Sequence, residues 1–183
     1  MDYCKDCVIR LFNTKHYNLQ GVGNPYFGNC IVVPNVDYSA YKKGGMGFSK
    51  QVEIIKSLIS SSTGELDDLY VLPLIRCNEY IACELNKDSY LKCIGYFVDD
   101  IKKYQFNNIM LLGSAGRRFL NCNISDYFDT IFVSINKRRY WVNYSPFVSY
   151  TDSDKYEVFK SNLVRWYNSI KNNDFSNYKI FNI

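Results

Sequence analysis

The most informative segment for the fold is NIMLLGSAG, at residues 108–116. Its first five residues form a short apolar run that is typical of a buried strand, and the glycine-bounded turn after them leads into a short helix at Arg117. The same succession occurs twice earlier in the chain. CIVV at 30–33 precedes a helically spaced segment at 48–60, and LYVL at 69–72 precedes another at 88–104. Strands that alternate with helices indicate parallel βαβ units.

The last third of the chain extends this pattern. It has apolar runs at 130–133 and 140–142 around a basic turn, and then an amphipathic helical segment at 156–170. We therefore predict one domain over residues 1–183, with a three-layer α/β/α fold and a central, mainly parallel four-stranded sheet. Ligands bind beyond the carboxyl ends of the strands in such sheets. The loops expected at that edge are 34–48, 73–79, 113–118 and 143–154.

Composition limits the class of protein. With 47% hydrophobic and 22% charged residues, the 183-residue chain is expected to be globular. The formal net charge of +4 permits contact with nucleic acid without requiring it, because local clusters decide phosphate binding. The first ten residues have no apolar run like that of a signal peptide, and no stretch approaches the roughly 18 apolar residues of a membrane span. We expect an intracellular, cytoplasmic protein that does not associate with membranes.

The cysteines carry the strongest local signal. Their number is seven, which is odd and argues against a complete disulfide framework. In a reducing compartment, the N-terminal Cys4-x-x-Cys7 pair is typical of metal binding or redox chemistry. Cys77 follows the second predicted strand, and Cys93 lies within the helix after it.

Several segments besides these cysteines match one family of enzymes. YVLPLIRC at 70–77 contains the Tyr, the basic residue and the Cys of a Tyr-x-x-Asn-x-x-Lys-Cys motif, and Cys93 follows at the family's distance. GNP at 23–25 and LLGSAG at 111–116 match two further segments, and Phe48 falls on the Phe of a Gly-x-Pro-Phe segment. Over roughly residues 4–170, the chain resembles the iron–sulfur (family 4) uracil-DNA glycosylases. The cysteine spacing is the specific part of this resemblance.

The resemblance implies a [4Fe–4S] cluster, since four thiolates are its standard ligands. The implied ligands are Cys4, Cys7, Cys77 and Cys93. Sequence spacing leaves two alternatives open, namely a structural zinc ion with the same four ligands and four unligated cysteines. We expect the remaining cysteines, Cys30, Cys83 and Cys122, to be ordinary core or surface residues. In the resembled family the cluster joins the N-terminal segment and the stretch between the third and fourth ligands into one loop. Here that loop is expected to present Arg76 or Lys87 to DNA phosphates, and an ordinary solvated charge is the alternative interpretation for each.

The family's catalytic motifs are altered in this chain. Its Gly-Glu-x-Pro-Gly motif aligns with residues 34–38, where Asn35 takes the acidic position and Asp37 takes the position of the proline. Asp37 is a candidate for positioning water, but a structural turn residue is the favoured interpretation. Pro73 replaces the Asn that reads uracil, and it has neither a side-chain amide nor a backbone N–H. Phe48 retains the aromatic ring that stacks on the base, or else is simply core.

The family's His-Pro motif aligns with residues 143–147, so that Asn143 or Ser145 takes the position of the histidine. The chain has one histidine, His16, which lies far away in the N-terminal segment. Neither Asn nor Ser can supply a cation to stabilise an oxyanion. The remaining catalytic candidates are therefore Asn35, Asp37 and Ser145, with Phe48 and Asn143 as base-pocket residues. We expect uracil excision to be lost or very weak.

The leading hypothesis is a DNA-binding accessory protein, such as a partner of a polymerase in a replication or transcription complex. The expected DNA contacts are Arg117, Arg118, Lys137, Arg138, Arg139 and Phe147, with solvated surface charges as the alternative interpretation. Basic side chains and wedge-forming aromatic rings are common at such interfaces. Two other hypotheses stay open. One is a diverged glycosylase that removes uracil or a modified base, and the other is a protein-interaction module with no affinity for DNA.

Overall fold

A mixed β-sheet forms the centre of the protein. The computed structural model describes residues 3–5, 7–12, 15, 17–59, 68–78 and 87–183, so that Cys83 and His16 lie outside the described residues. Within these ranges the sheet has seven strands in the order β1-β3-β2-β4-β6-β5-β7. Their bounds are β1 Val22–Gly23, β2 Asn29–Asn35, β3 Tyr70–Ile75, β4 Asn108–Leu112, β5 Thr130–Val133, β6 Arg139–Asn143 and β7 Lys179–Asn182.

The α/β class is confirmed, but the predicted four-stranded sheet was wrong in its extent. Strands β3, β2, β4 and β6 are mutually parallel and form the centre of the sheet. β1 is antiparallel to β3, β5 is antiparallel to β6, and β7 is parallel to β5. The edge strands escaped prediction because β1 has two residues and β7 is exposed along its whole length, so that neither shows a buried-strand pattern.

Strand β3 also runs further than expected. The sequence places a loop from Pro73 onward, whereas β3 continues to Ile75. β1 pairs with β3 only at Tyr70 and Val71. At Pro73, the one strand paired with β3 among the described residues is therefore β2. Proline is tolerated in edge positions of this kind, where no second ladder needs its missing N–H.

Helices cover both faces of the sheet. Their bounds are α1 Val8–Phe12, α2 Tyr38–Lys43, α3 Lys50–Ile59, α4 Lys87–Tyr104, α5 Ser114–Leu120 and α6 Ser153–Asn172, with short 3-10 helices at Pro25–Phe27, Met46–Phe48, Ile124–Asp126 and Pro146–Tyr150. None of the helices within the described ranges combines the length and the apolar character that crossing a bilayer requires.

Alternation along β2 shows how the layers are built. Ile31 and Val33 belong to one apolar core, together with residues of α3 and α6, whereas Cys30 and Val32 belong to a second core with residues of α4 and α5. Successive side chains of a strand point to opposite faces, so the two cores lie on the two sides of the sheet. The result is the three-layer arrangement of helix, sheet and helix.

The parallel strands give the sheet two distinct edges. Asn35, Ile75, Leu112 and Asn143 end the four central strands on one side, which we call the carboxyl edge. On the opposite side, Asn29 pairs with Asn108 and Asn108 pairs with Arg139 at the start of their strands, and we call this the amino edge. The four loops predicted to carry the site all leave from the carboxyl edge.

Candidate metal centre and nucleic-acid surfaces

The four cysteines of the predicted ligand set are all buried. Cys4, Cys7, Cys77 and Cys93 are each exposed by only 2–3%. Cys7, Cys77 and Cys93 pack in one apolar cluster with Ile9 and Ile75, at the carboxyl end of β3. Residues separated by more than eighty positions in the sequence therefore come together beside one end of the sheet.

The thiols also act on one another electrostatically. Burial raises the pKa of the Cys77 thiol to about 12, and the other three thiols contribute to that rise. Burial likewise raises the pKa of Cys93 to about 11, with contributions from Cys7 and Cys4. Backbone hydrogen bonds from Asn18 to Cys77 and from Arg76 to Cys93 act in the opposite direction. Burial is thus the main cause of both shifts, and the neighbouring thiols add to it.

The donor set suits a cluster chemically. Four soft thiols with apolar walls and amide donors are the surroundings that iron–sulfur clusters use, and a zinc ion accepts the same ligands. Four thiolates in such a buried place would repel one another, and a bound inorganic cation centre removes that penalty. In the part of the chain that the structure describes, however, no three or more His, Cys, Asp or Glu side chains form a group arranged to hold a metal ion. Metal ligation by these cysteines therefore stands as a proposal.

The N-terminal segment is held against α4 by a few specific contacts. The backbone N–H of Cys4 donates to the Tyr96 hydroxyl at 3.3 Å, and the rings of Tyr3 and Tyr96 meet edge to face at 4.8 Å. Gly95 makes this approach possible, because a Cβ atom there would lie 2.7 Å from the Tyr3 ring. The contacts place the Cys4–Cys7 pair beside the helix that carries Cys93.

Arg76 is a structural residue and not a phosphate ligand. Its side chain is buried, forms an ion pair with Asp100 of α4, and lies over the Tyr96 ring at 4.9 Å. It also donates to the Gln20 side chain at 3.1 Å. The suggestion that Arg76 reaches DNA phosphates is therefore wrong, because its charge is enclosed. The side chain of Lys87, the other residue considered for this role, lies outside the described part of the chain.

Asp37 is fully engaged inside the protein. Its carboxylate caps α2 by accepting from the backbone N–H of Ala40 at 3.0 Å, and it also accepts from the Ser49 hydroxyl and from the N–H of Gln51 at 3.3 Å. The residue is buried. The three donors link the loop after β2 to the start of α3, which fits the turn-residue interpretation.

The other predicted pocket residues are similarly enclosed. Asn143 is completely buried; its amide nitrogen donates to the Phe159 carbonyl at 2.9 Å, and its side-chain oxygen accepts from the N–H of Tyr144 at 2.8 Å. Ser145 caps the 3-10 helix Pro146–Tyr150. Asn35 is buried, and its carbonyl accepts from the Gln51 amide at 2.9 Å.

Close packing joins the ends of three central strands. Gly113, directly after β4, has a φ of 53°, and its N–H donates to the Asn143 carbonyl at 2.8 Å. A Cβ atom at Gly113 would lie 2.9 Å from the Cβ of Ser145 and 3.3 Å from the Cγ of Pro34. The loops that would surround a flipped base therefore pack tightly on one another at this point.

Aromatic rings and lysines cover the outside of this edge. Tyr38, Phe48 and Tyr150 are exposed, and the Lys43 ammonium lies 5.0 Å from the centre of the Phe48 ring. A groove of about 280 Å³ runs beside them. We call this the carboxyl-edge surface, and its residues are Tyr38, Lys42, Lys43, Phe48, Lys50, Lys56 and Tyr150. Phe48 is therefore a surface ring rather than core. Sequence reasoning missed the four lysines because they do not form one continuous basic run.

The structure divides the predicted DNA-binding residues between two places. Phe147 lies at the carboxyl edge, with its ring 6.0 Å from that of Tyr150. Arg117 is exposed on α5, which starts at the same edge, and Arg118 on that helix lies over the Tyr90 ring at 5.6 Å.

The remaining three predicted contacts lie at the amino edge, in and beside the hairpin between β5 and β6. Lys137 is exposed, and Arg138 is half-buried. Arg139 lies over the Phe175 ring at 4.3 Å and donates to the Asn108 side chain at 3.3 Å. One nucleic-acid strand lying across the carboxyl-edge surface would not meet these three residues without turning around the sheet.

The fold and these contacts define an α/β protein with four buried cysteines, three of them packed in one cluster, and with basic, aromatic surfaces at the edges of its sheet. Comparison of the chain with protein-family models and with curated protein sequences finds no match.

Proposed function

We propose that the protein is a DNA-binding accessory protein on an iron–sulfur glycosylase-like scaffold from which base excision has been lost. One observation carries this proposal. At the carboxyl edge, the polar side chains that stand where the family has catalytic groups are committed to internal hydrogen bonds, while aromatic rings and lysines face solvent. Such an edge is suited to holding nucleic acid and poorly suited to reacting with it.

The internal hydrogen bonds of the Asp37 and Asn143 side chains support the loss of excision. A glycosylase must flip the base into a pocket, stabilise the charge on the departing base and direct water to the sugar. The Asp37 carboxylate already accepts three hydrogen bonds, and both ends of the Asn143 amide are used within the protein. Freeing either group would leave buried donors or acceptors unsatisfied, which typically costs about 1–3 kcal/mol for each group.

The carboxyl-edge surface supports DNA binding. Lysine ammonium groups neutralise phosphates and release counterions, and exposed aromatic rings stack on bases. The Lys43 ammonium lies over the Phe48 ring, which brings a cation and an aromatic ring together at this surface. A place in a replication or transcription complex is a further part of the proposal, and it follows from the resemblance alone.

We also propose that the four buried thiols hold a [4Fe–4S] cluster. When bound, the cluster would supply a cross-link between the N-terminal segment, the end of β3 and α4. The protein's own residues prepare that junction through the contacts of Cys4 and Tyr3 with Tyr96 and through the ion pair of Arg76 with Asp100. The cluster's role in this proposal is structural, and it takes no part in chemistry on DNA.

The proposal is tested by measuring binding and excision on the same oligonucleotides. Labelled single- and double-stranded DNA, with and without uracil, is titrated with the protein at several salt concentrations and then treated with alkali. We expect salt-dependent binding with no strand cleavage. Lys43→Gln and Lys50→Gln should each weaken binding and lower the slope of log affinity against log salt by about 0.7 for single strands and 0.9 for duplexes.

Lys160→Gln provides a matched control, because Lys160 forms an i,i+3 ion pair on α6 as Lys50 does on α3. Its binding curve should match that of the unmodified protein. Cleavage at uracil would overturn the loss of excision and favour a diverged glycosylase. Absence of DNA affinity under all conditions would overturn DNA binding and favour the protein-interaction module.

A further inference from the structure

Two aromatic rings project from the amino edge, on the side of the sheet opposite to the proposed DNA surface. Tyr26 is 81% exposed and Phe27 is 59% exposed, and they are neighbours on the 3-10 helix Pro25–Phe27. A contiguous exposed apolar patch is more informative than a single exposed apolar side chain. Larger patches of this kind are found at interaction sites, and we take the two neighbouring rings as a candidate for one.

The turn that carries the rings is rigid. The Asn24 side chain accepts from the N–H of Tyr26 at 3.0 Å, and the backbone N–H of Asn24 donates to the Leu69 carbonyl at 2.9 Å. Pro25 fixes the first position of the turn, and Gly28 ends it with a φ of 74°. The Gly28 carbonyl accepts from Asn107 at 2.8 Å, which ties the turn to the start of β4. The backbone that carries the rings is therefore fixed by contacts within the fold.

Lysine side chains lie near the rings. Lys102 and Lys103 are exposed at the end of α4; Lys103 lines a groove with Tyr26 and Phe27, and its ammonium lies over the Tyr104 ring at 4.7 Å. The N–H of Arg139 donates to the Asn107 carbonyl at 2.8 Å, so that the basic hairpin with Lys137 continues the same edge. Asp100 is the carboxylate that acts on Lys103, and it is already paired with Arg76.

A groove of about 330 Å³ lies between the rings and the end of α4. Its lining residues are Tyr26, Phe27, Gly28, Lys103, Tyr104, Gln105 and Asn107. These residues carry no carboxylate, and the exposed side chains of Gln105 and Asn107 place amide donors and acceptors beside the rings. A base can stack on the rings and hydrogen-bond to the amides, and its phosphate can contact the ammonium group.

We propose that this amino-edge surface, formed by Tyr26, Phe27, Lys103, Gln105, Asn107 and Lys137, is a stacking site for single-stranded nucleic acid. The proposal rests on the proposed DNA-binding function and adds a second site to it. Single strands are favoured over duplexes because projecting rings need bases whose faces are not already stacked in a helix. The surface also gives the predicted residue Lys137 a ligand that does not have to reach the carboxyl edge.

The test uses a short oligothymidylate containing a photoreactive 5-iodouracil, and mass spectrometry maps the crosslinked residues. We expect crosslinks to Tyr26 or Phe27. The double variant Tyr26→Ser/Phe27→Ser should bind the oligonucleotide roughly 5- to 150-fold more weakly and lose those crosslinks. Lys103→Gln should lower the salt slope by about 0.7. Both changes are on exposed side chains, and an unchanged thermal midpoint verifies that the fold is intact.

The matched control is Tyr38→Ser/Phe48→Ser, which removes two exposed rings from the carboxyl-edge surface and should leave the Tyr26 and Phe27 crosslinks in place. If the unmodified protein binds DNA but crosslinks only at the carboxyl edge, the amino-edge site is refuted and the proposed function survives. If the unmodified protein binds no nucleic acid, both proposals fail. Equal loss of duplex binding in Tyr26→Ser/Phe27→Ser would overturn the preference for single strands.

Discussion

The buried guanidinium of Arg76 forms an ion pair with Asp100 immediately beside the group of four thiols. Arg76 precedes Cys77 in the chain, and Asp100 lies two turns after Cys93 on α4. Burial raises the pKa of Asp100, while the Arg76 charge opposes that rise. The pair thus joins the two segments that carry Cys77 and Cys93.

Removing one member of this pair should be strongly destabilising. Asp100→Ala leaves the Arg76 charge buried without a partner, and we expect a loss of about 3–5 kcal/mol in the free energy of unfolding. Urea denaturation of the metal-free protein measures this loss. The control is Glu53→Ala, which breaks the exposed Lys50–Glu53 pair and should change stability by less than about 1 kcal/mol. Similar losses in the two variants would show that Arg76 is not enclosed.

Gly113 should resist substitution even by alanine. Its φ of 53° and ψ of −131° are rarely adopted by other residues, and an added Cβ would meet the Ser145 side chain at 2.9 Å. We expect Gly113→Ala to lower the free energy of unfolding by about 1–3 kcal/mol or more. The comparison is Gly45→Ala, where φ is −169° and the nearest atom would be 3.7 Å away. A Gly113→Ala variant as stable as Gly45→Ala would contradict the tight closure of the carboxyl edge.

The metal-free protein should lose stability in alkaline solution. Burial raises the pKa of Cys77 to about 12 and that of Cys93 to about 11, from 9.0 for an ordinary thiol. Because the folded state keeps these protons longer than the unfolded state, their contribution is complete below about pH 9 and is lost as the pH rises towards 11 and 12. The expected slope is about 1.4 kcal/mol per pH unit for each thiol.

Urea denaturation at a series of pH values measures this slope. Cys93→Ser should reduce it in the metal-free protein, whereas Cys122→Ser, in which the thiol is only partly buried, should reduce it less. Slopes that do not differ between Cys93→Ser and the unmodified protein would contradict the burial of the thiol group.

The sequence predicted the repeated elements of the fold well. β4 and β5 lie at the predicted positions, and α4 and α6 begin and end within a few residues of their predicted bounds. Short apolar runs and long periodic segments both give a clear sequence signal. The edge strands β1 and β7 could not be predicted, since a two-residue strand and a fully exposed strand depend on their neighbours.

The four cysteines singled out in the sequence are all buried, but their ligation of a metal stays a prediction. The burial of Arg76 depends on Asp100, which is 24 residues away and on another element. The carboxyl-edge surface is assembled from α2, α3 and the 3-10 helices Met46–Phe48 and Pro146–Tyr150. The amino-edge surface is assembled from the 3-10 helix Pro25–Phe27, the end of α4 with the residues after it, and a hairpin. Local sequence contains no signal for such assemblies, because they arise only when the strands take their order in the sheet.

The proposal that the four buried thiols hold one iron–sulfur cluster is tested by iron and acid-labile sulfide analysis of anaerobically reconstituted protein. We expect about four iron and four sulfide ions for each chain, brown colour, and loss of both ions in Cys93→Ser but not in Cys122→Ser. Stoichiometric zinc with no sulfide, or equal iron content in Cys93→Ser and the unmodified protein, would contradict it.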